Sequence, residues 1–285
     1  VWSSKASAQP NAAIANRFLG TASSARTLPL PWHRSQPMNM IRTLSLSALV
    51  ITSCAYAQNY DLELIRNGGF ENVDKEPTTY DQLKFATGWR DANLGLADLF
   101  APSASSKTVG IPVNDYGDCK PFEGDYYAGF CGWKADVQRN YEAYDQNDIF
   151  KPAWGAYSEY LKGELIKPLM EDSTYELTFH VALAGNSDRS IMGVGAFFTQ
   201  QDLSYQNRKF MEESPQVYTE KIIEERNKWT EVKGTFVADG KEEFVMLGVF
   251  PYVGLESKNM IEGADNRYAY YYIDGISLKQ VPKED

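Results

Sequence analysis

The run from Tyr268 to Lys279 constrains the fold of this chain more than any other stretch. It reads Tyr-Ala-Tyr-Tyr-Tyr-Ile-Asp-Gly-Ile-Ser-Leu-Lys, so that a single carboxylate, Asp274, lies among aromatic and β-branched side chains. This composition predicts a β-strand that is buried on at least one face. A carboxylate buried there needs hydrogen bonds, a cation or a counter-charge, because desolvating it without a partner costs too much free energy.

A second strand near the start of the same domain is expected to pair with this one. Residues Leu62–Glu71 comprise a short apolar strand, a glycine turn, and then Phe70 and Glu71. We expect the two ends of the domain to meet and to close one β-sandwich.

The stretch between these ends has the patterns of an all-β protein. Tyr175, Leu177, Phe179, Val181 and Leu183 alternate with smaller or polar residues, which is typical of a half-buried strand. Residues 244–250 are apolar at nearly every position, which predicts a central strand. No long segment has a convincing helical period. The sequence therefore predicts a single antiparallel β-sandwich of jelly-roll type over residues 58–285.

The first 57 residues differ from the rest because they contain five basic residues and neither Asp nor Glu. Residues 38–57 have the three parts of a secretory signal peptide: Arg42, an apolar core over 44–51, and Ala55-Tyr-Ala57 as a cleavage site. The apolar core is too short to span a membrane.

Residues 1–37, which show no sustained apolar period, are interpreted as an over-long translation start, the alternative being a genuine disordered extension. Cys54 raises a second alternative. The segment Ile51-Thr-Ser-Cys54 resembles the lipobox in which a cysteine becomes lipidated, which would anchor the domain to a membrane. The segment Ala55-Tyr-Ala57 before Gln58 is the better cleavage site, so that an extracytoplasmic location is expected in either case.

The charge of the remaining chain restricts its partners. Without residues 1–57 it carries 23 basic and 38 acidic side chains, a formal charge of −15. So acidic a surface argues against nucleic acid and anionic lipid, leaving membrane contact only through a lipid anchor. It suits an exported protein with affinity for divalent cations.

Cys119 and Cys131 are then the only two cysteines of the mature domain. An even pair in an oxidising compartment predicts a disulfide. The alternative, a zinc site, would need further ligands, and the only mature histidine, His180, lies far away in the sequence.

Several short motifs resemble known families. Asn67-Gly-Gly-Phe-Glu71, Trp89 and Tyr272–Leu278 are similar to jelly-roll carbohydrate-binding modules of the galactose-binding-like superfamily. A broader resemblance is to the N-terminal domain of Bacteroidetes OmpA-family surface proteins, carried by the segments Val109–Gly117, Gly124–Phe130, Glu159–Leu165 and Leu247–Phe250. The resemblance does not extend to the peptidoglycan-binding OmpA domain, so peptidoglycan anchoring is not expected.

The resemblance to carbohydrate-binding jelly rolls implies a structural calcium ion held by Glu71 and Asp274 with backbone carbonyls. Calcium accepts six to eight oxygen ligands in irregular geometry, which suits such a set. The alternative is that each carboxylate accepts hydrogen bonds from backbone amides in a turn.

Aromatic side chains are the candidate ligand contacts. Sugar rings stack on flat aromatic faces, although large aromatics also dominate sandwich cores. Trp133 and Trp154 flank the irregular segment 134–155, so we expect them to be exposed and to bind ligand. The other candidates are Trp89, Trp229, Tyr126, Tyr127, Tyr157 and Tyr252.

Catalysis has little support in the sequence. A nucleophilic triad would have to use His180, which lies on a regular strand with no nucleophile motif nearby. The sequence therefore predicts a non-catalytic exported module that binds carbohydrate or another surface polymer. The alternatives are a structural or adhesive module that contacts cell-surface proteins, and a hydrolase with carboxylates converging in a cleft.

Overall fold

The computed structural model describes residues 60–135, 156–251, 256–261 and 267–282. The predicted extension 1–37, the signal peptide 38–57 with Cys54, and Trp154 lie outside these ranges, so their predictions stay untested. All described residues belong to one compact unit spanning Tyr56–Asp285. None of the helices within the described ranges is long and apolar enough to cross a membrane.

The described residues form strands and one short 3-10 helix, Leu83–Phe85. In chain order the strands are β1 Trp89–Asp91, β2 Asp98–Phe100, β3 Val113–Asn114, β4 Gly117–Asp118, β5 Tyr127–Ala135, β6 Ala156–Tyr157, β7 Leu161–Glu164, β8 Thr174–Leu183, β9 Arg189–Ile191, β10 Val194–Thr199, β11 Val217–Tyr218, β12 Thr230–Val237, β13 Phe244–Val249, β14 Ser257–Asn259 and β15 Tyr268–Gln280.

The two large sheets have the strand order of a jelly roll. One has the order β1-β7-β13-β10-β11, and the other, six-stranded sheet has the order β12-β8-β15-β5-β2, with β6 pairing the end of β5. From β5 onward the chain crosses repeatedly between the sheets, and the strand pairs within the large sheets are antiparallel. The predicted all-β antiparallel sandwich of jelly-roll type is therefore confirmed.

The core between the sheets follows the alternation seen in the sequence. In β8 the side chains of Tyr175, Leu177, Phe179, Val181 and Leu183 are buried in the main apolar cluster. Strand β13 is buried over most of its length and is the middle strand of the five-stranded sheet, as its apolar composition predicts.

The two ends of the domain meet, as expected. The Leu64 N–H donates to the Leu278 carbonyl at 3.0 Å, and the Ile276 N–H donates to the Gly68 carbonyl at 3.1 Å. Strand β15 itself lies between β8 and β5 in the middle of the six-stranded sheet. The predicted closing strand is therefore the central element of that layer.

A bulge in β5 buries Trp133, which we had expected to be exposed. Cys131 pairs with Tyr270 and Trp133 pairs with Ala269, so that Gly132 is an extra residue in the ladder. One extra residue turns the following side chain to the opposite face of the sheet. Trp133 consequently lies in the core between the sheets and is 1 % exposed. The expectation of an exposed, sugar-stacking Trp133 is wrong.

Candidate functional site

The outer face of the six-stranded sheet carries a second layer of aromatic side chains. The Phe100 ring stacks on Tyr127 with 4.8 Å between centroids and meets Tyr272 edge-on at 5.3 Å. The loop of residues 101–126, here called the covering loop, lies over this layer and places Tyr116 flat against Tyr270 at 3.7 Å. These buried aromatics form an interior layer under the loop.

The hydroxyl groups of this layer are bonded within the protein. The Tyr272 hydroxyl donates to Asn114 Oδ1 at 2.8 Å, and Asn114 Nδ2 donates to the Tyr127 oxygen at 3.1 Å. The Tyr270 hydroxyl donates to Asp98 Oδ2 at 2.5 Å. Because buried polar groups need such partners, these residues hold the covering loop on the sheet. Tyr127 is thus a structural residue.

One aromatic group reaches solvent at the end of the covering loop. The ring of Phe122 is 44 % exposed and stacks on His180 of β8, with 3.5 Å between centroids and 14° between planes. Trp229, just before β12, lies 6.4 Å from Phe122 at an angle of 72°, and its indole N–H donates to the Lys120 carbonyl at 2.9 Å. We call Phe122, His180 and Trp229 the Phe122 platform.

Asp274 fixes the backbone of this platform. Its Oδ2 accepts hydrogen bonds from the N–H groups of Phe122 at 2.9 Å and Glu123 at 3.2 Å, and its Oδ1 accepts one from Gly275 at 2.7 Å. The side chain is completely buried. Burial raises the pKa of Asp274 to about 7, although the three amide donors act in the opposite direction. The predicted buried carboxylate of β15 therefore has its partners in the covering loop.

Glu71 holds the next residues of the same loop. Its Oε1 accepts hydrogen bonds from the N–H groups of Asp125 at 2.9 Å and Tyr126 at 3.0 Å. Glu71 and Asp274 thus fasten residues 122–126 to the two ends of the domain. These two carboxylates, which the sequence predicts to share a calcium ion, are linked in the structure through one backbone segment.

The hydrogen-bond partners of Asp274 are backbone amides. Two of these amides donate to Oδ2 and one donates to Oδ1. Within the described ranges, no group of three or more His, Cys, Asp or Glu side chains is arranged to hold a metal ion. These contacts agree with the alternative to calcium binding, in which each carboxylate accepts hydrogen bonds from backbone amides. Calcium binding by Glu71 and Asp274 stays an untested prediction.

Cys119 and Cys131 do not form the predicted disulfide. Both are buried free thiols. The carbonyl of Cys119 accepts a hydrogen bond from the Tyr127 hydroxyl, whereas Cys131 lies four residues farther along β5, about 13 Å of extended strand. Bridged cysteines need Cα atoms within about 7 Å. Burial raises the pKa of Cys119 to about 12 and that of Cys131 well above its usual value, which makes both thiols unreactive.

Two carboxylates do converge, but inside the protein. Asp98 and Glu159 are 2 % and 6 % exposed. Glu159 accepts hydrogen bonds from the Cys131 N–H and the Tyr157 hydroxyl, both at 2.6 Å. Burial raises the pKa of Asp98 to about 6 and that of Glu159 well above its usual value, and the charge of Asp98 raises the latter further. A hydrolase would need such a pair in an open cleft, so this pair does not support one.

His180 has a supporting place in the platform. Its ring packs beneath Phe122, and burial lowers its pKa, with the Gly275 backbone and nearby carboxylates acting in the opposite direction. This arrangement agrees with a structural role for the lone strand histidine.

Of the proposed aromatic residues that the structure describes, Trp229 is the one that reaches this site, whereas Tyr252, like Trp154, lies outside the described ranges. Trp89 lies in the core and Tyr126 donates its hydroxyl to Glu76. Phe122 was missed, because a phenylalanine in an irregular loop has no periodic pattern to show whether it is buried. The one indication in the sequence that Phe122 could be a site residue is its position in the long stretch 98–124. Loops of this length are typically functional or pinned.

Comparisons with known proteins found distant likenesses among solved structures alone. No protein-family model and no curated protein matches the sequence. Among solved structures, the chain is similar to the CBM22-1 xylan-binding domain of Paenibacillus barcinonensis Xyn10C, with 13 % identity, a TM-score of 0.38, and coverage of 78 % of this chain and 95 % of that one.

Two further solved structures are similar at the same level. The K1 cleaved adhesin domain of Lys-gingipain from Porphyromonas gingivalis has 10 % identity and a TM-score of 0.35, with 78 % of this chain and 99 % of that one covered. The N-terminal cellulose-binding domain of Cellulomonas fimi β-1,4-glucanase C has 10 % identity and a TM-score of 0.30, with 59 % and 86 % covered. Likenesses at this level identify neither a family nor a ligand for this chain.

Proposed function

We propose that this protein is a non-catalytic module that binds carbohydrate, or another surface polymer, at the Phe122 platform. The observation that carries the proposal is an aromatic ring that is 44 % exposed and yet held firmly. Its face packs on His180, and its backbone is bonded to the buried carboxylate of Asp274. A ring fixed before the ligand arrives loses little conformational entropy on binding.

The surroundings of the ring suit a polyhydroxylated ligand. The apolar face of a pyranose can pack against an aromatic ring, and polar groups at the edge of a site fix its orientation. Glu123 follows Phe122 directly, and Glu231 follows Trp229 by two residues; both are exposed. Their carboxylates can accept hydrogen bonds from sugar hydroxyl groups, whereas the Lys120 ammonium can donate them.

An extracytoplasmic location belongs to the same proposal. It is supported by the signal-like segment 38–57, with its charged start, apolar core and small-residue cleavage site. The acidic character of the remaining chain is compatible with an exported protein and with a ligand other than nucleic acid.

A binding screen tests the proposal. The purified protein is applied to a glycan array and to insoluble polysaccharides, and the bound ligand is then titrated against Phe122→Ala and Trp229→Ala. Loss of an aromatic anchor at the centre of a site typically costs about 2 kcal/mol, or roughly thirtyfold in affinity. Tyr218→Ala is the matched control, because Tyr218 is 36 % exposed on β11 of the other sheet.

Three results would count against this function. They are a folded protein that binds no glycan, equal losses from the Tyr218 and Phe122 variants, and unchanged affinity in both platform variants. The first would favour the protein-contact alternative, which is then tested by crosslinking to cell-surface proteins.

A further inference from the structure

The charge around the Phe122 platform bears on which glycans it can accept. Three exposed carboxylates accompany the platform: Asp118 and Glu123 belong to the covering loop, and Glu231 of β12 has its Oε2 4.0 Å from His180 Nε2. The same loop has two exposed cations, Lys107 and Lys120, and Lys120 is the one close to Phe122 in the chain. No cation among the described residues forms an ion pair with Glu123. The edge of the platform is therefore net negative.

The remaining basic groups beside the platform do not offset this charge. Lys228 Nζ lies 2.7 Å from Glu225 Oε2, so that its charge is already balanced by a neighbouring carboxylate. His180 Nε2 lies 4.0 Å from Glu231 Oε2, but burial lowers the pKa of His180 and favours its neutral form at neutral pH.

Neighbouring carboxylates raise the pKa values of two groups beneath the platform. Burial raises the pKa of Cys119, and the charges of Asp118 and Asp274 raise it further. Burial likewise raises the pKa of Asp274, with the charge of Glu123 acting in the same direction. For both groups the neighbouring charges that act are carboxylates, in agreement with the excess of exposed acidic side chains.

We propose that the Phe122 platform takes glycans without acidic groups and rejects uronic-acid and sulfated glycans. This inference rests on the proposed carbohydrate-binding function and names the ligand class of that site. A carboxylate or sulfate on a sugar stacked at Phe122 would lie beside Glu123 and Glu231. Like charges brought together at an interface weaken binding, and the repulsion is screened by salt.

A matched pair of polymers tests the selectivity. The neutral polysaccharide that the protein binds most tightly is oxidised at its C6 hydroxymethyl groups to carboxylates, which leaves the backbone unchanged. We expect the oxidised polymer to bind the full protein about tenfold more weakly at low ionic strength, and the difference to shrink in about 0.5 M sodium chloride.

Charge variants assign the effect to the platform. In Glu123→Gln and Glu231→Gln the ratio between the affinities for the neutral and the oxidised polymer should fall toward one, because the like charge is gone while a side-chain oxygen remains. Glu164→Gln removes the same charge from an exposed residue of β7 in the other sheet and should recover nothing.

The outcomes separate this inference from the function on which it rests. Equal binding of the neutral and oxidised polymers would overturn the charge selectivity and leave carbohydrate binding intact. Recovery by Glu164→Gln to the same extent would also overturn it, because the effect would then come from net charge. Failure to bind any glycan would overturn both.

Discussion

Tyr270→Phe should destabilise the protein in a pH-dependent way. The Tyr270 hydroxyl donates a hydrogen bond of 2.5 Å to Asp98, and these two residues are 2 % exposed each. The substitution removes one oxygen and leaves the ring in place against Tyr116. A hydrogen bond to an ionised group contributes about 1.5–3 kcal/mol, against about 0.5–1.5 kcal/mol for one between neutral groups. The loss of stability should therefore depend on whether Asp98 is ionised.

The direction follows from the pKa of Asp98, which burial raises from 3.8 to about 6. Between these two values the folded protein binds more protons than the unfolded chain, so the free energy of unfolding falls as pH rises. A shift of this size corresponds to about 3 kcal/mol over that range. Because the Tyr270 hydroxyl favours the ionised form, removing it raises the pKa of Asp98 further and extends the fall to higher pH. We expect Tyr270→Phe to cost about 1 kcal/mol at pH 4.5 and about 2–3 kcal/mol at pH 8.

Urea unfolding at both pH values measures these losses, and Tyr272→Phe is the matched control. Tyr272 lies on the same strand with no exposed surface, and its hydroxyl donates to the neutral amide oxygen of Asn114 at 2.8 Å. Its loss should cost about 1 kcal/mol at both pH values. Equal pH dependence of the two variants, or a Tyr270→Phe protein that is no less stable than the wild type at pH 8, would refute the reasoning.

Further predictions concern Trp133, Gly275, the two cysteines and the predicted calcium site. Trp133→Ala should lower the free energy of unfolding by about 3–5 kcal/mol, and Trp133→Phe should leave glycan affinity unchanged, as titration will show. Gly275→Ala should weaken glycan binding, because Gly275 has φ +58° and an added Cβ would lie 2.7 Å from Phe122 Cδ1. Cys119 and Cys131 should react with a thiol reagent only after unfolding, as peptide mass spectrometry can establish. If the predicted carboxylate pair binds calcium, EDTA should lower the melting temperature and calcium restore it; an unchanged melt removes that prediction.

The regular strands could be predicted from the sequence because their patterns repeat. Alternation from Tyr175 to Leu183 predicted the half-buried strand β8, and the aromatic and β-branched run from Tyr268 to Lys279 predicted β15. The contact between the first and last segments of the domain could also be predicted, because a sandwich has to cover both faces of its closing strands. In each of these cases many residues carry the same signal.

The candidate site could not be predicted in the same way, because it depends on single residues that break the pattern. Gly132 turns Trp133 from the outer face into the core, and nothing in the local sequence marks Gly132 as a bulge. Phe122 is exposed because Asp274 holds its backbone from 152 residues away in the chain. A sequence pattern contains no information about such a contact. It did indicate that Asp274 needs a partner, but not which one.

The pairing of the two ends of the domain also determines how it would respond to mechanical force. Leu64 is hydrogen-bonded to Leu278 and Gly68 to Ile276, so the first and last segments of the domain run in opposite directions. The chain therefore enters and leaves the sandwich at the same end. Tension applied through both ends would load the bonds between these segments one after another rather than all together. The domain should therefore begin to open like a zipper at modest force, starting with the bonds at Leu64, before the Phe122 platform is disturbed.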